Sequence, residues 1–219
     1  MRKLIIMALG IMALDLQAQP IKVTESVTVN KETLLQLDFD FADNISFQLW
    51  DKPQVLVEVL VEINDGEDND IFSLNSSTSS TTILIAMDED MWKKIPKERR
   101  NKRNCSFTST LDYVVYLPKE LKVSASTISG DYEFEYFNQP MQLKTISGAI
   151  DVTIPSNLGL DFKAKTISGE VYSDIEIDFP EGKKGLKQIV GQDFKGRING
   201  GGPQSELETI SGNIYLRKD

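Results

Sequence analysis

The tetrapeptide Thr-Ile-Ser-Gly occurs four times, at Thr127–Gly130, Thr145–Gly148, Thr166–Gly169 and Thr209–Gly212. The starts lie 18, 21 and 43 residues apart. The last gap is about double the middle one, and Gln188-Ile189-Val190-Gly191 stands midway as a degenerate fifth copy. A repeat of about 20 residues is too short to bury its own apolar face and must stack on its neighbours, which is the logic of a solenoid.

The flanking residues say what stacks. Asp131-Tyr132-Glu133-Phe134-Glu135-Tyr136, Ala149 to Ile154, Asp174 to Phe179 and Asn213 to Leu216 alternate polar and apolar, as does Leu160 to Ala164. A period of two means strands with one buried face. Each repeat therefore reads as strand, corner, strand, loop, with no crossover helix between 121 and 219. In the corner, glycine (Gly130, Gly148, Gly169, Gly191, Gly212) allows a sharp bend. Isoleucine is assigned to the core. Thr127, Thr145, Thr166 and Thr209, with the serines, bond to backbone groups as a column. Five copies at the inter-strand spacing make a stack of roughly 24 Å. Four recurring serines without a recurring base do not read as nucleophiles.

The N-terminal half is also strand-rich: Ile21 to Thr24, Leu35 to Phe41, Ile45 to Trp50, Val55 to Ile63 and Ile83 to Met87. These read as less regular turns of the same stack, with a separate sandwich as the alternative. Asp65, Glu67, Asp68 and Asp70 are weak candidates for Ca²⁺, but lack the ordered ligand spacing of an EF-hand; a solvated turn is the plainer expectation. Lys93, Lys94, Lys97, Arg99, Arg100, Lys102 and Arg103 mark a basic insertion between 88 and 104, read as a solvated loop, with anionic lipid or polysaccharide as the sharper alternative.

The first residues carry a different message. Arg2 and Lys3 precede an apolar run from Leu4 to Leu14, and small or apolar residues follow before Gln19. That is the layout of a secretory signal peptide over residues 1–18, leaving residues 19–219 as a single expected domain. Position 19 is Gln, so no lipid-bearing cysteine follows the cleavage point, and no further stretch is long enough for a membrane helix. Losing Arg2, Lys3 and Asp15 takes the formal net charge from −9 to −10, which disfavours nucleic acid as a partner. Cys105 is the lone cysteine, so no internal disulfide forms. There is no histidine, which removes histidine-based triads and histidine-bound zinc.

The repeated Thr-Ile-Ser-Gly, the Gly200-Gly201-Gly202-Pro203 turn after Ile198-Asn199, and Tyr113 to Pro118 leading into the first repeat together resemble the bacterial putative adhesin family. Its members are exported β-solenoids of uncharacterised function, related to the auto-transporter adhesin head domain named for a Gly-Ile-Asn motif; here Gly196-Arg197-Ile198-Asn199 interrupts that triplet. The resemblance covers about residues 110–219. It implies a right-handed parallel β-helix-like fold and a place in the periplasm or on the cell surface, and it supplies no catalytic residues or cofactor.

The expectation is thus an all-β, exported, non-enzymatic scaffold or binding module for an envelope protein or a glycan. The final strand, Asn213 to Arg217, is expected to leave a free pairing edge. The alternative is a polysaccharide lyase or hydrolase using outward carboxylates (Asp131, Glu133, Glu135, Asp151, Asp174, Glu176, Asp178), with Glu133 and Asp151 as neighbours at about 5 Å. A component of envelope signalling is a third reading.

Overall fold

A computed structural model describes residues 19–30, 33–97, 108–179 and 192–219. Residues 1–18, Cys105, the degenerate copy Gln188 to Gly191, and Arg99, Arg100, Lys102 and Arg103 lie outside them.

The described residues are all-β, with no α-helix. In chain order the strands are β1 (Ile21–Thr28), β2 (Leu34–Asp38), β3 (Phe41–Leu49), β4 (Gln54–Ile63), β5 (Leu74–Thr78), β6 (Thr82–Met87), β7 (Ser109–Leu117) and β8 (Lys122–Glu135). They continue with β9 (Met141–Ser147), β10 (Ile150–Ile154), β11 (Leu160–Thr166), β12 (Val171–Ser173), β13 (Gln192–Ile198), β14 (Gln204–Ser211) and β15 (Ile214–Lys218). Asn69–Ile71 and Met91–Lys94 are single 3₁₀ turns.

The strands form one open network with two faces. One layer runs β5-β6-β2-β8-β9-β14-β11-β13, and the other β1-β4-β7-β3-β8-β10-β15-β12. Strand β8 belongs to both: residues up to Thr127 pair with β2 and β9, residues from Asp131 pair with β3 and β10, and Ser129 at the corner faces both Ser147 of β9 and Phe41 of β3. It turns between layers at Gly130, whose φ of +146° is a backbone conformation that side chains with a Cβ resist. Alternate residues point inward and merge into one apolar core, including Leu37, Ile45, Tyr113, Tyr132, Leu143, Phe162 and Ile214. Hydrogen bonds cross that core from one layer to the other. Tyr132 Oη donates to Lys144 O at 3.3 Å, and Tyr113 Oη reaches Met87 Sδ at 3.7 Å.

The repeats do stack as parallel neighbours. Thr127 pairs with Thr145, Thr145 with Thr209, and Thr209 with Thr166. Their order along the stack is 127, 145, 209, 166, which is not chain order. The last repeat, β14-β15, slots between the second and third instead of closing the stack. The final strand is therefore interior, bonded to β10 on one side and β12 on the other, and offers no free edge. The network is not parallel throughout: β1-β4, β4-β7, β5-β6 and β11-β13 are antiparallel. The strand expected over Asp174 to Phe179 is displaced to Val171–Ser173, and Asp178 makes only an isolated bridge to Arg197. The stretch Leu35 to Phe41 is split by the corner at Phe39-Asp40. The N-terminal strands join the repeats directly, β2 and β3 each pairing with β8.

The corners explain their own composition. Thr145 Oγ1 donates to Gly130 O (3.2 Å), Thr209 Oγ1 to Gly148 O (3.0 Å) and Thr166 Oγ1 to Gly212 O (2.9 Å). In the first copy, Thr127 Oγ1 bonds Ser129 O at 2.8 Å. The carbonyl that accepts each threonine also occupies the space of the next missing Cβ. A Cβ on Gly148 would lie 2.1 Å from Gly130 O, one on Gly212 1.9 Å from Gly148 O, and one on Gly169 1.9 Å from Gly212 O. Unusual φ is thus the reason for glycine only at Gly130; close approach is the reason at the other three. Asp131 and Asn213, each following a corner glycine, accept the Ala149 and Glu170 N–H groups at 2.7 and 3.0 Å and fasten adjoining rungs.

Gly212→Ala is expected to lower stability by about 1–3 kcal/mol through overpacking against backbone that cannot yield. Ser211→Ala, at the exposed neighbouring position, should stay within about 0.5 kcal/mol. Urea unfolding of the two variants checks this; equal midpoints would refute the close-approach account.

Candidate functional site

Within each corner the threonine is inward, so strand alternation throws the isoleucine outward. Ile128, Ile146, Ile210 and Ile167 are 42%, 47%, 42% and 49% exposed. The expectation that these residues fill the core is overturned, because the corner threonines occupy the inward positions. Stacked at the inter-strand spacing, the four make an apolar ridge about 14 Å long. The adjoining rung continues it with Asp40 and Phe41, and Phe41 meets Trp92 edge-on at 5.6 Å.

A row of polar residues runs beside the ridge on the outer face of the β2-β8-β9-β14-β11 layer. Asp38, Ser126, Lys144, Glu208 and Lys165 lie opposite one another in successive strands. Ser126 Oγ donates to Asp38 Oδ1 at 2.9 Å, and Glu208 takes Lys165 at 2.6 Å and Lys144 at 3.7 Å. The next row repeats the device: Glu206 accepts from Lys163 at 3.0 Å and from Gln142 at 3.1 Å. Ile128, Ile146 and Ile210 of the ridge and Asp38, Ser126, Lys144 and Glu208 of the row line an open cleft of 370 Å³, together with Thr127, Thr145 and Asp40.

The charges of these rows and of the ridge are not equivalent. The Lys163 ammonium, then the Gln142 amide, hold the Glu206 carboxyl below its ordinary value, and Lys165 does the same for Glu208. Asp40 moves the other way: burial, then the charge of Asp38, raises it. Its backbone carbonyl meanwhile accepts the Ile128 and Ser129 N–H groups at 2.9 and 3.2 Å, so Asp40 is held at the corner whatever its side chain does.

The carboxylates singled out in the sequence fare differently. Glu133 and Asp151 do lie opposite each other in β8 and β10. Asp151, however, is bound by Arg217 Nε through both oxygens, at 2.7 and 2.8 Å. Asp131 accepts the Ala149 N–H, and Asp174 accepts the Lys218 N–H at 2.7 Å. Glu135, Glu176 and Asp178 are exposed on separate strands or loops. Asp65, Glu67 and Asp70 point outward while Asp68 is 1% exposed and accepts from Asn64 Nδ2 at 2.6 Å, so the four do not converge. Among the described residues no three potential metal ligands cluster. This turn is also less solvated than expected, with Asn64 and Asn69 buried and Ile63 N–H donating to Asn69 Oδ1 at 2.7 Å. In the basic insertion Lys93 is paired with Asp90 at 2.5 Å and Lys94 with Asp88 at 2.7 Å; Lys97 is exposed.

No family model matches the chain, and no curated protein matches it. Among solved structures, one described as a "putative cell adhesion protein" from Clostridium sporogenes superposes with a TM-score of 0.56 at 11% identity, covering 92% of this chain and all of the other. At that identity the likeness is one of fold. A "putative adhesin" from Bacteroides fragilis (TM-score 0.26, 11% identity, 93% of this chain and 100% of that one) and another from Parabacteroides merdae (0.25, 14%, 69% and 68%) are too far apart in geometry to add to it. No helix among the described residues is long and apolar enough to cross a membrane.

Two opposite responses to pH follow from these groups. Glu206 and Glu208, lowered in the folded state, contribute stability that is full above their ordinary value and is lost as pH falls through the lowered folded values. Glu208→Gln should therefore flatten the acid limb of the stability curve. Asp40, raised in the folded state, weakens the fold when charged, so the penalty is full at neutral pH and vanishes once both states are protonated. Asp40→Asn should raise Tm at pH 7 and have no such effect below the ordinary aspartate range; a lower Tm at pH 7 would contradict the assignment.

Proposed function

We propose that this protein is an exported, non-enzymatic, adhesin-like binding module, and that it meets an envelope protein along its corner edge. The observation that carries the reading is the ridge of Ile128, Ile146, Ile210 and Ile167, nearly half exposed on an acidic chain whose other corner positions are polar. Apolar residues aligned on a rigid ladder, with a charged row alongside, are the composition of an interface centre and its rim. The rungs hold the ridge in place before any partner arrives, so little ordering entropy is lost on binding. The fold-level likeness to a structure described as a "putative cell adhesion protein" supports the same direction. In this reading residues 19–219 act as one β-solenoid unit, residues 1–18 direct export, and the site of action is the periplasm or cell surface. Mixed pairing at the two ends of the network protects the repeat region from open-ended growth.

The test is a photo-crosslinking residue placed at Ile146 in living cells. A discrete adduct is expected, lost when Ile210→Asp is added, with Tm unchanged because Ile210 is outside the core. Equal adduct yields from Ile146 and from the exposed position Ser76 would overturn the assignment.

A further inference from the structure

The edge opposite the corners carries a second, unrelated concavity. Strand β3 leaves the corner edge at Phe41 and arrives at the far edge with Trp50, at the mouth of a 260 Å³ cavity. Three chain segments wall it, around Val29, around Asp51 to Pro53, and from Pro118 to Leu121. Backbone hydrogen bonds lock them together: Val29 N donates to Pro53 O (3.0 Å), Trp50 N to Leu117 O (3.1 Å), Gln54 N to Lys52 O (2.8 Å) and Leu121 N to Pro118 O (3.2 Å). Pro53 and Pro118 fix φ in two of the three walls. The cavity is built before any ligand enters.

Its chemistry is specific. The Trp50 indole spends its one donor on Gln54 O at 2.7 Å, so its rings offer only an apolar π surface. Tyr116 supports it at 5.3 Å with a 31° tilt, and the Lys52 ammonium sits 4.7 Å from the ring centroid. Around the rim stand the carboxylates of Asp51 and Glu120, neither with a hydrogen-bond partner among the described residues. An aromatic platform, two acceptor carboxylates and one flexible ammonium donor thus surround a space just below the roughly 300–1,000 Å³ of pockets for drug-sized ligands.

We infer that this pocket is a saccharide subsite taking one neutral hexopyranose residue. A pyranose has an apolar face of polarised C–H groups, which suits the negative face of the indole. Its hydroxyls donate to Asp51 and Glu120 and accept from Lys52, which leaves the ring face as the sugar arrives. The two carboxylates turn away anionic sugars and phosphates by like charge. A proline-rich peptide also favours Trp and Tyr surfaces, but it needs an extended groove, and this cavity has room for about one ring.

Saturation-transfer NMR on the purified protein with methyl glucoside, methyl galactoside, methyl mannoside and N-acetylglucosamine tests the site. Transfer to ring C–H protons is expected for at least one of them, with affinity about tenfold weaker in Trp50→Ala. The double variant Asp51→Asn with Glu120→Gln, one position exposed and the other half-buried, should weaken binding without lowering Tm, and decides the matter if Trp50→Ala does not fold. No transfer from any of the four, unchanged affinity in the variants, or displacement of the sugar by a proline-rich peptide would overturn the proposal. The Ile210→Asp variant should bind sugar normally, so failure here and failure of the corner-edge reading are separate results.

Discussion

A threonine hydroxyl resting on the carbonyl of a glycine one rung away is the contact on which the repeat region depends. It lets neighbouring corners approach until the carbonyl occupies the place of the next Cβ, and it satisfies an oxygen that the bend would otherwise leave to water. Once threonine is the inward corner residue, register follows for the strands on both sides, because a slip of one residue would bury every outward charge. The same parity expels isoleucine. The apolar ridge is thus a consequence of the corner chemistry, and the four copies repeat it in line.

Chemically equal corners are also interchangeable. The rungs at Thr145, Thr166 and Thr209 present the same donor, the same carbonyl and the same glycine surface, so local contacts cannot say which of them lies beside which. The connections decide. Strand β13 returns antiparallel against β11, and the chain then delivers β14 and β15 into the position between the second and third copies. The insertion gives the final strand two neighbours and, among the described residues, leaves only the three-residue β12 beyond it on that layer, a short edge that limits pairing with other chains.

The two long edges of the molecule have different characters for the same reason of connectivity. Corners are short and uniform, so their edge is a straight ladder suited to a broad contact. The opposite edge is made of loops of unequal length, which fold against one another and enclose a cavity. Between the edges, cross-strand pairs such as Lys165-Glu208 and Lys163-Glu206 quiet the outer face. Asp40 departs from this pattern, a carboxylate kept where its charge is unfavourable, beside the apolar cleft.

How much of this the sequence held can be judged residue by residue. The two-residue alternation determined the all-β character, and the spacing of the repeats determined that Thr127, Thr145, Thr166 and Thr209 share a column with their glycines. The outward isoleucine was legible too: alternation through Leu143 and Thr145 forces Ile146 out, but hydrophobicity argues the other way for a single residue. Only the tertiary structure decided the order of the rungs, the interior place of the last strand, the burial of Asp68, and the meeting of Trp50 with Asp51, Pro118 and Glu120. Those features depend on which distant segments pair, and pairing is set by the summed packing of the core and the reach of the loops, neither of which any short stretch of sequence contains.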